Sequence, residues 1–274
     1  MQTVYRYRLF ENCSDLYMSV FSRLFLLGII LLPVSGFAES GLKIDNKKVV
    51  YGETLNYKAT WGLFTIGSAS TKIDKTLYKV GSKVCFKIDV AGQTNGLAKL
   101  FYVHDNWTSF IDTATITTHS SSRRIREGKY ELDEQIHFDP KNKKAEVKVY
   151  NKTTKSFLPM KLYDTPEDIR DVIAGFMAFR LVDLSAYKNG ETFTINGFYE
   201  DEGYKIDVIY QGIETIKTEY GMMQCYKVKP VVPNNHVFNG RDAVNIWLST
   251  KSSTSIIRIR VKMFVGNVQI DLLK

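Results

Sequence analysis

Four histidines, three cysteines and 29 carboxylates are the residues of this chain that could do chemistry. His104, His119, His137 and His236 fall at no spacing that pairs metal ligands, and no cysteine joins them, so the sequence offers no metal or cofactor site. His104 and Asp105 are adjacent, and neighbours on a strand point to opposite faces. No Gly-x-Ser-x-Gly elbow marks a nucleophilic hydrolase. The stretch Gly62-Leu-Phe-Thr-Ile-Gly67 lacks the Gly-Lys-Ser/Thr of a phosphate loop. Carboxylates that meet across a sheet cannot be read from spacing, which leaves a carboxylate-dependent glycan hydrolase as an unsupported alternative. The balance favours a protein that is not an enzyme.

Cys85 and Cys225 stand in matching surroundings, Cys-Phe-Lys-Ile-Asp and Cys-Tyr-Lys-Val-Lys. On strands, each cysteine shares the lysine face and not the apolar one. Two such thiols in an exported protein are a disulfide candidate, and closing that loop would stabilise the fold by roughly 4–5 kcal/mol. Two unpaired cysteines that simply pack are the other reading.

Basic and aromatic residues suggest binding. Arg258, Arg260 and Lys262 alternate with Ile257, Ile259, Val261 and Met263, forming one positive row, and Arg123, Arg124, Arg126 and Lys129 make a second basic segment. As neighbours they would form a patch for phosphate or carboxylate head groups; apart, they are ordinary solvated faces. Aromatics make up 13% of the chain. Trp61, Phe64, Phe101, Tyr102, Trp107, Trp247 and Phe264 either line a cavity for an apolar ligand or fill a core. Trp61, Phe64, Trp107, Trp247, Arg126, Arg258 and Arg260 are the candidate ligand-binding residues. Small residues between Gly62 and Ser70 suggest a bulge, a sharp bend or a pocket wall.

The elements that must position these residues are mostly strands. Leu55 to Trp61, Val84 to Val90, Val147–Val149, Ile206 to Tyr210 and Ile257 to Met263 alternate with period two, as half-buried strands do. Turn signals separate them at Tyr51-Gly52, Val80-Gly81, Asp139 to Asn142, Asn189-Gly190, Gln211-Gly212, Tyr220-Gly221 and Val265 to Asn267. About a dozen strands in an antiparallel β-barrel or sandwich are expected, with a short helical turn over Leu97 to Tyr102. One segment departs from the rhythm. Thr165 caps, Pro166 fits the first helical position, and Ile169, Val172, Ile173, Phe176 and Met177 recur at helical spacing, predicting one amphipathic helix over about 166–180. No Pro-, Gly- or Ser-rich linker interrupts the chain, so residues 39–274 are expected to form a single domain.

Residues 1–38 read as a secretion signal. Arg23 precedes an apolar run from Leu24 to Val34, and Gly36-Phe37-Ala38 is a small-residue exit. That run is about ten residues, against the ~20 needed to span a bilayer. Met18 would be a more ordinary start than Met1. Three Lys/Arg and two Asp/Glu lie in this segment, leaving +7 of the chain's +8 for the remainder. Such a charge favours anionic neighbours or simply solubility, and export removes the protein from nucleic acid.

Tyr57-Lys-Ala-Thr-Trp61-Gly62 with Gly67, Phe101 to Asp105, Glu127 to Tyr130 and Asp168 to Leu184 together resemble the domain-of-unknown-function 3108 family. Tyr220 to Pro230, Trp247-Leu-Ser, Ile257-Arg258-Ile and Val265 to Leu272 complete the resemblance, which covers nearly all of the chain after residue 38. Members often carry a Ser-Asp-Asp-like turn after the tryptophan, where this chain has Thr250 to Ser253. The resemblance implies a Gram-negative bacterium, a periplasmic or other cell-envelope location and an antiparallel β architecture. It implies no established activity. The expected function is an exported envelope protein, not membrane-spanning when mature, that binds a lipid, a lipopolysaccharide part or another amphiphile. The alternative is an interaction component that docks to an envelope protein partner.

Overall fold

A computed structural model describes residues 42, 44–95, 102–231, 243–251, 254–263 and 266–274. The expected signal segment and most of the expected turn over 97–102 lie outside these residues.

Sixteen strands are described: β1 (Thr54–Trp61), β2 (Phe64–Ile73), β3 (Tyr78–Val80), β4 (Lys83–Thr94), β5 (His104–Asp112), β6 (Thr118–Glu127), β7 (Tyr130–Asp139), β8 (Lys144–Asn151), β9 (Ser156–Phe157), β10 (Lys161–Asp164), β11 (Thr192–Tyr199), β12 (Glu202–Thr218), β13 (Gly221–Pro230), β14 (Val244–Ser249), β15 (Ile256–Lys262) and β16 (Asn267–Leu272). One helix, α1 (Val172–Leu181), separates the two strand groups. All strands join one antiparallel sheet in the order β10-β8-β7-β6-β5-β4-β2-β1-β16-β15-β14-β13-β12-β11, with β3 beside β4 and β9 beside β8. The choice between barrel and sandwich thus resolves into one continuous sheet, and the first and last strands of that order are not joined by a ladder.

The sheet nevertheless curls until its ends meet. Tyr163 on β10 donates to Asp201 in the β11–β12 turn at 2.6 Å, and Phe138 of β7 packs edge-on against Phe198 of β11. Between them runs the segment from Thr165 to Asp171. Thr118 N–H donates to the Ile169 carbonyl on one side, while Arg170 N–H and the Phe198 N–H make bonds with the Asn196 and Arg170 carbonyls on the other. The segment thereby pairs with the edge strand β11 and with the start of β6, while β10 remains an edge strand.

This seam also moves the helix. Asp168 adopts a left-handed φ of 54° and Arg170 bridges Gly197, so the predicted start at Pro166 is lost to tertiary hydrogen bonds. Asp171 is the actual cap, its carboxylate accepting from the Ala174 N–H at 2.8 Å and from the Thr118 hydroxyl. The helix is not amphipathic either. No residue of it is exposed, and even Arg180 is buried. An element apolar on all sides belongs inside. Here α1 packs against β11 and β5 in a core drawn from both strand groups, including Tyr57, Ile88, Ile111, Val208, Ile246 and Ile270.

Gln211-Gly212 is no turn. It lies within β12, where the register slips between Tyr210 and Ile213 and Gly212 takes φ of 80°, so the expected turn is a bulge. Likewise the arginines of the two basic segments lie on β6 and β15, with five strands between them, and form no common patch. Pleating splits the first of them further: Arg123 faces the interior with Trp107, while Arg124 and Arg126 face out toward Asp133 and Glu131.

The disulfide is also corrected. Cys85 and Cys225 are both free and buried, on β4 and β13 with five strands between them. They occupy equivalent sheet faces, as their surroundings suggest, but an antiparallel order carries those faces to different parts of the surface. Burial pushes the Cys225 thiol up to about 11 and the Cys85 thiol up as well. In native protein without reductant, iodoacetamide should leave both unmodified, and unfolding alone should make both reactive. A mass two hydrogens low, with neither labelled after unfolding, would show the bond instead.

Arg180 anchors the helix in the curled sheet. It donates to Glu53 at 2.6 Å and to the Thr254 carbonyl at 2.8 Å. Both side chains of the pair are nearly buried. Removing one partner strands the other charge, so Glu53→Ala should lower stability by about 3–5 kcal/mol in urea unfolding. Replacing both residues with methionine should cost much less, because no lone charge is left behind.

Candidate functional site

Alternate connections of an antiparallel sheet share an end. The β1–β2 hairpin, the β4–β5 connection, the β6–β7 turn and the β15–β16 turn therefore lie along one rim. At the first of these, Trp61 pairs with Phe64 across the two-residue loop Gly62-Leu63, and Gly62 has φ of 57°. A glycine at the first central position suits the tight hairpin turn whose twist matches its strands. The loop holds its apolar side chains outward: Leu63 is 99% exposed, Phe64 70% and Trp61 42%. Trp61 lies over Gly266, where any Cβ would sit 2.6 Å from the indole nitrogen. Tyr102 and Tyr130 add two half-exposed rings, and Lys129 and Lys262 are exposed cations on the same rim.

Beneath the rim the inner face of β5, β6 and β7 is charged. Arg123 donates to both Glu134 oxygens, at 2.5 and 3.1 Å. Trp107 and Tyr199 each lie over the guanidinium, with centroids 5.5 and 5.3 Å from its carbon. The carboxylate beside it raises the Arg123 pKa despite burial, so this cation is permanent. Nearer the rim, Asp105 and Glu127 are each 2% exposed and interact with one another. Asp105 also accepts from the Arg126 N–H at 2.9 Å. Small residues Gly67, Ala69, Gly92, Ser109 and Ser121 share this inner face.

Two buried carboxyls that interact with one another differ from the solvent-reached pair, ~5–9.5 Å apart, of a glycosidase. Two carboxyls in contact hold one proton between them. Burial raises the Asp105 pKa against the lowering hydrogen bonds from Arg126 and Glu127. A carboxyl whose folded pKa is raised stabilises the fold below its unfolded pKa and loses that contribution as pH rises through the folded value.

The seven residues singled out in the sequence are dispersed. Trp61 and Phe64 stand on the rim, and Trp107 stacks on Arg123 inside. Trp247 is buried under Lys227 and Arg260, 5.2 and 5.5 Å from its ring centroid. Arg260 also donates to Gln269, and Arg126 forks onto Asp133 at 2.6 and 2.8 Å. Arg258 pairs with Asp271 beside an open groove of about 310 Å³ lined also by Lys217, Glu219 and Leu272. Sequence reading missed Asp105–Glu127 and Arg123–Glu134, which only the β5–β6–β7 register assembles. The alternation around Arg123 was the one available signal that it faces inward.

The acid pair gives a test. Asp105→Asn mimics the protonated carboxyl, so its melting temperature relative to the parent should rise progressively as pH increases from 4 to 8. Parallel melting curves would show that Asp105 carries no shifted proton.

No curated protein matches the sequence. A crystal structure of a beta-barrel-like protein of the domain-of-unknown-function 1849 family from Brucella abortus is similar, with a TM-score of 0.47 and 10% identity, covering 81% of this chain and 95% of that one. The family model for proteins of unknown function DUF3108 matches residues 56–273, and the chain belongs to that family.

Proposed function

We propose that this is an exported cell-envelope protein of the periplasm that binds an anionic amphiphile, a lipid or lipopolysaccharide part, without chemical change to it. The observation that carries this reading is the rim. Leu63, Phe64 and Trp61 are held out from one tight hairpin, with Tyr102 and Tyr130 on neighbouring connections and Lys129 and Lys262 among them. Single exposed apolar residues mean little, but several gathered along one rim with cations among them mark an interaction surface. Tryptophan and tyrosine favour the boundary between hydrocarbon and water, and lysine suits anionic head groups. The secretion-signal reading of residues 1–38 and the positive net charge are consistent with such a ligand.

A second reading has its own observation. The edge strand β10 and the chain before it expose Phe157, Leu158, Met160 and Leu162. Open apolar edges invite another strand, so an envelope protein partner could dock there. The two readings part in one experiment. Sedimentation with vesicles containing anionic phospholipid should retain the parent protein, and Leu63→Asp with Phe64→Asp should reduce binding at least tenfold. Leu162→Asp should leave vesicle binding unchanged. Equal loss in both variants, or no binding by the parent, would reject the rim as the lipid-contacting surface.

A further inference from the structure

His119 and His137 lie 18 positions apart in sequence, and their strands should keep them apart. Ser120 pairs with His137 on the outer face of β6 and β7, which leaves His119 in register with Phe138 of the buried face. A bulge changes this. Phe110 pairs with Ser120 and Ile111 with Thr118, so His119 is the extra residue with no partner on β5. Bulges re-aim side chains. Here the imidazole turns outward, and the two rings come to 5.0 Å between centroids at 72°.

That separation has a chemical meaning. Two imidazoles on one ion, with bonds of ~2.0–2.1 Å and an angle between right and tetrahedral, place their centroids roughly 4.5–5.2 Å apart. The surroundings are those of a ligand pair. The His119 Nε2 lies beside the Val80-Gly81 turn, whose backbone can orient the ring as outer-shell groups orient metal-binding imidazoles. Asp112 and Lys83, themselves paired at 2.9 Å, act on His119, and Asp139 lies two residues from His137 on the same face. His137 is exposed and His119 half-buried, so the pair is reachable from solvent.

We propose that His119 and His137 form a binding site for a divalent late first-row transition ion, Zn²⁺ or Cu²⁺, on the outer face of β6 and β7. Among the described residues no third side chain completes a ligand set, so water fills the other positions. Two neutral imidazoles favour these ions over Mg²⁺ or Ca²⁺, and Cu²⁺ binds tightest. The site is independent of the rim and of any amphiphile.

Calorimetry with Zn²⁺, and electron paramagnetic resonance of the full chain with one equivalent of Cu²⁺, test it. One ion should bind per chain, with two nitrogen ligands in the copper spectrum. His119→Ala and His137→Ala should each weaken binding at least tenfold. His137 is exposed, so His137→Ala should fold as the parent does and serves where His119→Ala does not. Unchanged binding or an unchanged copper spectrum in His137→Ala would overturn the proposal. So would an absence of binding by the parent, which would leave the rings as an aromatic contact only.

Discussion

The seam made by Thr165–Asp171 is the constraint on which the rest of the structure depends. A sheet with fourteen strands along its path has two long rows of unpaired backbone groups. Curling brings those rows together, but the ladder does not close. The seam segment fills the gap instead, bonding to Thr118 at the start of β6 and to Asn196 and Phe198 on the edge strand β11. Arg170 reinforces it by donating to the Asp168 and Thr115 carbonyls at 2.7 and 3.3 Å. The neighbouring Ile116 sits at φ of 56° with a fully buried side chain. A β-branched residue in that conformation costs of order 1–3 kcal/mol, which its burial and these contacts offset.

Curling decides where everything else lies. It encloses α1, whose sides are apolar all round, and it requires Arg180 to bring its own carboxylate, Glu53, into the interior. It also gives the inner face of β5 to β7 a charged layer: Arg123 paired with Glu134 between two rings, and Asp105 buried beside Glu127. These groups hold strands in register. They leave the apolar and cationic surface to the connections at one rim.

Much of this architecture was legible in the sequence because period-two alternation is local. Leu55 to Trp61 and Ile257 to Lys262 lie within strands where the pattern puts them, and Val80-Gly81 and Asn189-Gly190 mark real turns. The failures come from information that is not local. Pro166 is a good helix start, but hydrogen bonds to distant strands hold it in the seam. Gly212 looks like a turn because bulges and turns share a left-handed glycine. The cysteine pentapeptides give matching faces but not strand order. Trp61 and Phe64 were singled out because aromatic residues beside glycines are conspicuous, and both stand exposed on the rim. Asp105 and Glu127 were not, because two acids 22 positions apart meet only once register and bulge are known.

The proposed contact with a lipid surface places Trp61, Leu63, Phe64, Tyr102 and Tyr130 of the rim against it, the sheet itself staying intact. Hydrogen–deuterium exchange with and without anionic vesicles reads that contact directly. Protection should appear in peptides covering 61–64, 102–104, 127–130 and 262–267, and should be absent from 157–164. Protection confined to 157–164, or none at the rim under conditions where the protein is vesicle-bound, would contradict it.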